Sequence, residues 1–190
     1  MTHCSGYFRA AFTGSFKEAE EKRLHLEDVT KETFDDFVDW LYQRDLGREL
    51  SDTDEDGDED FLNMHEITKV HIFADRYDIP DLQRDTIDTM FAYFRGREDI
   101  PTAETIKMAF ESLPDTSLLR KLLVHRYCES KWDLTPEDES LWTHEFIHDV
   151  LARYRCMAQN FLFKPDLCDY HDHTGGGRYE CQKKREDEEW

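Results

Sequence analysis

The sequence is short of basic residues, of long apolar runs and of the motifs that mark nucleotide or nucleophile chemistry. Only 24 Lys and Arg stand against 44 Asp and Glu, a formal net charge of −20 at pH 7. Such a charge repels duplex nucleic acid and anionic membranes at long range, so binding to nucleic acid or to a membrane surface is not expected. No uninterrupted apolar run approaches the roughly 20 residues that cross a bilayer. The opening MTHCSGYFRAAF lacks the basic start and apolar stretch of a secretory signal. There is no G-x-S-x-G elbow, no Walker loop and no dinucleotide fingerprint. Cysteine is sparse and odd in number: Cys4, Cys128, Cys156, Cys168 and Cys181. Without a signal peptide these read as reduced thiols or metal ligands, in the cytoplasm or nucleus, and not as a disulfide framework.

What is present argues for a folded chain. Mean hydropathy is only −0.81, yet the 190 residues include 13 Phe, 8 Tyr and 4 Trp, too many aromatics for a disordered polymer. The alternation Arg23-Leu24-His25-Leu26 predicts a short strand with both leucines on one face. Thr30 offers an N-cap, and Phe34, Phe37, Val38 and Leu41 then fall at i, i+3, i+4 and i+7, which predicts a helix over 31–43. Residues 52–60, DTDEDGDED, hold seven acids in nine positions, a density that favours extended, solvated chain. Ile67, Val70, Ala74 and Tyr77 predict a helix ended by Pro80, and Leu82, Ile87, Met90, Phe91 and Phe94 predict another, closed by Gly96. A Thr102-capped helix carries Ala103, Ile106, Phe110 and Leu113. After Pro114-Asp115 comes a helix on Leu118, Leu119, Leu122, Leu123 and Tyr127. Thr135-Pro136 predicts one further start, and Phe146, Ile147, Val150, Leu151 and Tyr154 mark the last long helix. Beyond Pro165 the chain reads as polar and irregular. The expected class is mainly α with a small residual β element.

Residues 5–42, SGYFRAAFTGSFKEAEEKRLHLEDVTKETFDDFVDWLY, resemble the central part of a BTB/POZ domain in the form common among fungal proteins. IFADRYDIPDL, residues 72–82, resembles the helix-turn-helix near that domain's end. The resemblance implies an α+β core of helices flanked by a small sheet, and a protein–protein interaction role. It also implies that the family's opening strand hairpin and first helix are missing before Ser5, so that the core is N-terminally incomplete and its usual dimer face reduced. The expected organisation is a partial BTB/POZ domain over 1–95 with an acidic loop at 51–60, a helical extension over 96–163, and a Cys/His-containing tail over 164–190. By resemblance the partners are proteins, with self-association and a cullin-3-type scaffold as candidates. Helix 31–43 carries no motif specific to cullin.

Three constellations could carry chemistry. His144-Glu145-Phe146-Ile147-His148 is a literal H-E-x-x-H, in which two imidazoles one helical turn apart could hold zinc while Glu145 activates water. Asp149 places a charge where zinc proteases keep a neutral residue, no Gly and third His follow at metzincin spacing, and the resemblance makes Glu145-Phe146-Ile147 a structural segment. The motif is judged accidental, and a zinc-dependent hydrolase is the alternative reading beside a nonfunctional truncated fragment. Asp52, Asp54, Asp56 and Gly57 open like a calcium loop, but Glu59 and Asn63 stand where an apolar residue and a bidentate Glu belong, so a solvated loop is expected. Cys168, His171, His173 and Cys181 lie within fourteen residues. Two thiolates and two imidazoles suit a closed, non-catalytic tetrahedral zinc, and similar tails recur in the resembling fungal group. The sequence therefore predicts a non-catalytic interaction module, with structural zinc in the tail as its candidate cofactor.

Overall fold

A computed structural model describes residues 3–15, 17–26, 28–44, 46, 63–95, 100–130, 142–159, 167–171 and 177. The chain divides into two compact units, Met1–Arg97 with Glu111–Leu113, and Glu98–Phe110 with Pro114–Trp190.

The first unit contains α1 (Gly6–Thr13), α2 (Lys17–Glu21), α3 (Lys31–Gln43), α4 (Met64–Arg76) and α5 (Pro80–Phe94). Helix α3 begins where its cap dictates: the Thr30 hydroxyl accepts from the Thr33 amide at 3.3 Å, leaving one fewer orphan donor in the first turn. It ends at Arg44, whose φ of 56° lies in the left-handed region. Asn63 caps α4 by accepting from the Glu66 amide at 3.0 Å, so this side chain is spent on a helix start. Pro80 occupies the first position of α5, where its missing N–H costs nothing.

The core of this unit joins Phe8 of α1, Phe37 and Trp40 of α3, Val70, Phe73 and Ala74 of α4, and Tyr77, Ile79 and Leu82 around the α4–α5 turn. Its rings form a continuous chain: Phe8 stacks on Tyr77 at 5.5 Å between centroids, and Phe37 lies 5.0 Å from Phe73. Gly6 brings the start of α1 close against the turn after α4. Its amide donates to the Asp78 carbonyl at 3.1 Å, and a Cβ there would sit 1.9 Å from the Asp78 carboxylate.

Among the described residues there is no strand. Residues 23–26, expected to form one, run without regular structure. A strand needs a neighbour to take its backbone hydrogen bonds, and none of the described segments supplies one. Leu24 and Leu26 instead pack against the helical core. The mainly helical class stands.

The second unit contains α6 (Ala103–Ser112, its last two residues excepted from the unit's span), α7 (Leu118–Glu129), α8 (His144–Gln159) and a 3-10 helix at Leu167–Tyr170. Thr102 caps α6, accepting from the Thr105 amide at 3.3 Å. The core is built from Ile106 and Phe110 of α6, Val124, Tyr127 and Cys128 of α7, and Phe146 and Val150 of α8. The helix start expected at Thr135-Pro136 and the Gly96 stop lie outside the described residues. The chain after Pro165 is less irregular than its composition indicates, because the 3-10 turn buries Cys168 and Tyr170. The Tyr170 hydroxyl meets His125 Nδ1 of α7 at 2.5 Å, and Lys121 lies over the Tyr170 ring at 5.4 Å.

Candidate functional site

Polar side chains inside the first unit are engaged in packing. His71 is buried, and its Nδ1 meets Thr86 Oγ1 at 2.7 Å. Thr86 commits its own proton to the Gln83 carbonyl at 2.8 Å, so the hydroxyl accepts and His71 Nδ1 donates. Burial pushes the imidazole down to about 4, against a smaller opposing effect of the Gln83 backbone. The ring is therefore neutral at physiological pH. Trp40 Nε1 donates to Asp85 Oδ2 at 2.7 Å. Burial raises the Asp85 carboxyl above its ordinary value, and the Trp40 hydrogen bond partly offsets this. These pairs fasten α3 and α4 to α5. They are interior groups engaged with one another.

The H-E-x-x-H residues lie on the first turns of α8. His144, Glu145 and His148 are exposed, while Phe146 between them is buried in the core. His148 Nδ1 lies 3.3 Å from Asp149 Oδ1. No group of three His, Cys, Asp or Glu side chains that could hold a metal ion occurs among the described residues. The calcium-like run at 52–60 lies outside them. Of the tail's four candidate ligands, Cys168 and His171 are described and both are buried; His173 and Cys181 lie outside the described residues. The thiols differ in character. Cys4 sits in the turn before α1 and packs against the first core. Burial pushes the Cys128 thiol up to about 11, outweighing the nearby Arg153, which makes it unreactive. Cys156 is exposed.

A feature not visible in the sequence is a cleft of about 410 Å³ between α7 and α8. Its walls include Arg120, Lys121 and His125 of α7 and Asp149, Arg153 and Cys156 of α8. The Arg120 guanidinium lies 4.1 Å over the Phe110 ring and 3.9 Å from the Asp149 carboxylate. The sequence signal for this site is the i, i+4 and i+7 spacing of Asp149, Arg153 and Cys156, which assigns them to one side of α8. It does not reveal that α7 presents cations across from them.

Neither arrangement shows an assembled set of catalytic groups among the described residues. No described helix is long and apolar enough to cross a membrane. Residues 1–90 match the family model of the BTB/POZ domain. BTB/POZ domains are protein–protein interaction modules that also self-associate. No curated protein and no solved structure matches the chain.

Proposed function

We propose that this chain is a non-catalytic association module of BTB/POZ type, serving as a scaffold or adaptor in the cytoplasm or nucleus. The observation that carries the reading is the BTB/POZ match over residues 1–90, which covers the aromatic core joining α1, α3, α4 and α5. A second copy and a cullin-3-type scaffold are the partners that this family likeness supports. Light scattering of the full chain across a concentration series, with and without the N-terminal domain of cullin-3, tests it. The expected result is a mass above the 22.8 kDa of one chain, or a saturable complex with cullin. A single-chain mass at every concentration with no complex overturns the association reading.

The tail is assigned a structural zinc held by Cys168, His171, His173 and Cys181. Support comes from the donor chemistry and from the burial of Cys168 and His171 beside one short turn. Metal analysis of the purified chain should find zinc that is lost in Cys168→Ser and retained in His144→Ala. The reverse result sinks the tail site and favours the hydrolase motif on α8.

A further inference from the structure

Helix α8 carries apolar residues on two sides, and only one side is spent on its own core. Phe146 and Val150 are buried with residues of α6 and α7. Ile147, Leu151 and Tyr154 fall at i, i+4 and i+7, which lines them up on a second side. They are 44%, 64% and 45% exposed, and they are three of the five large apolar side chains exposed among the described residues. Exposed apolar residues scattered singly are ordinary, whereas three in one row mark a contact surface.

Charge narrows what can cover this stripe. The chain carries −20, so two copies repel wherever acidic faces meet. At about 100° per residue, the stripe is bordered on its solvent side by His144, His148 and Arg155, all exposed. The helix has two acids, Glu145 and Asp149, and both stand roughly 120° or more around the axis from every stripe residue. Two copies can therefore meet here without bringing carboxylates together. Direction follows as well. Parallel helices would place Arg155 beside Arg155 of the second copy. Antiparallel helices, related by a two-fold axis between Val150 and Leu151, lay Leu151 on Leu151 and Ile147 on Tyr154. Each Arg155 then falls between His144 and His148 of the second copy. His148 Nδ1 lies 3.3 Å from Asp149 Oδ1; a carboxylate only accepts, so in the neutral ring Nε2 remains an acceptor, and a guanidinium only donates. The opposed helix dipoles favour the same direction.

We propose that the exposed side of α8 is an interface between two copies of this chain, packed antiparallel through Ile147, Leu151 and Tyr154, with each Arg155 seated between the other copy's His144 and His148. The interface is isologous, so one stripe serves both copies. Three apolar side chains from each copy fall short of the roughly 1,200 Å² at which stable interfaces begin. The contact is therefore weak by itself and adds to association made elsewhere in the chain. The inference rests on the chain being an association module and gives its second unit an interface of its own.

The test is disulfide trapping of the full chain under mild oxidation, with Cys156→Ser removing the exposed thiol on α8 and cross-links located by peptide mapping. Leu151→Cys should trap a dimer through its own position. Ile147→Cys alone should not, because its copy lies about 10 Å away along the axis, beyond the reach of a disulfide. A mixture of Ile147→Cys and Tyr154→Cys chains should be trapped. Leu151→Glu, at an exposed position, should keep the circular dichroism and melting of the parent while weakening self-association in sedimentation velocity about tenfold. A missing Leu151 cross-link, an Ile147 cross-link to itself at equal yield, or association indifferent to Leu151→Glu overturns the proposal. So does a Leu151→Cys thiol joined within its own chain, which would mean that the chain covers its own stripe. If the α8 tests fail while light scattering still gives a mass above one chain or a cullin complex, the association reading stands and only the α8 interface falls.

Discussion

Replacing Phe37 with Ala should cost the first unit about 3–5 kcal/mol, the range for deleting a buried phenyl ring. The structure places this side chain at the centre of its core. It is fully buried at 0% exposure, with ring centroids of Phe34, Trp40 and Phe73 at 5.9, 6.2 and 5.0 Å and that of Phe8 at 6.0 Å. Neighbours on three helices can close only part of the void, so the loss includes both transfer and cavity contributions. A domain of this size is stable by only about 5–15 kcal/mol, and the variant should therefore melt about 12 °C or more below the parent. Tyr42, on the same helix but 83% exposed, supplies the control: Tyr42→Ala should change stability by less than about 0.5 kcal/mol. Urea unfolding followed by tryptophan fluorescence reads the effect, since Trp40 stacks on Phe37. Phe146→Ala should instead weaken the second unit, where Phe146 lies 4.8 Å from Trp142. A Phe37→Ala loss below about 1 kcal/mol, or one equal to that of Tyr42→Ala, refutes the assignment of Phe37 to the centre of this core.

Three other outcomes follow from the polar and thiol groups. His71 titrates near 4 in the fold and near 6.5 when unfolded, so above pH 7 it affects nothing; as pH falls from 6.5 to 4 the unfolded chain takes the proton first. Stability should then drop by about 3 kcal/mol across that window, and His71→Gln should remove this slope in denaturation series. An unchanged slope would place the titrating group elsewhere. Asp85→Asn keeps an acceptor for Trp40 while removing a half-buried charge whose carboxyl is raised chiefly by burial; it should stabilise the unit at pH 7 by up to about 1 kcal/mol, and a marked fall in melting temperature would contradict this. Peptide mapping after native maleimide labelling at pH 8 should find Cys156 modified and Cys128 protected, with equal labelling of the two counting against the described α7–α8 packing.

Much of the first unit's helical pattern is local and was therefore readable. Helix 31–43 begins at Thr30 because that hydroxyl caps an amide three residues on, and its stripe of Phe34, Phe37 and Leu41 follows from 3.6 residues per turn. Thr102 marks a start for the same reason, whereas Pro80 stands at the first position of α5 because its missing N–H costs nothing there. The strand at 23–26 was misread because alternation describes one chain segment, whereas a strand is a property of two. The candidate sites were less legible. H-E-x-x-H is a matching string, but the position of Phe146 in the core turns its flanking residues outward. The cleft's cations come from two helices, and periodicity within one helix says nothing about what faces it.

By itself the sequence determined the acidic character, the helical class, the caps at Thr30 and Thr102, and the likeness of residues 5–42 to an interaction domain. These depend on composition or on residues within a turn or two of one another. Only the tertiary structure decided that Trp40 finds Asp85 and that Tyr170 returns to His125, each across 45 residues. Such pairings are selected by the packing of whole helices, which fixes what is desolvated and beside what; burial sets the proton affinity of His71 and Cys128, and identity alone does not.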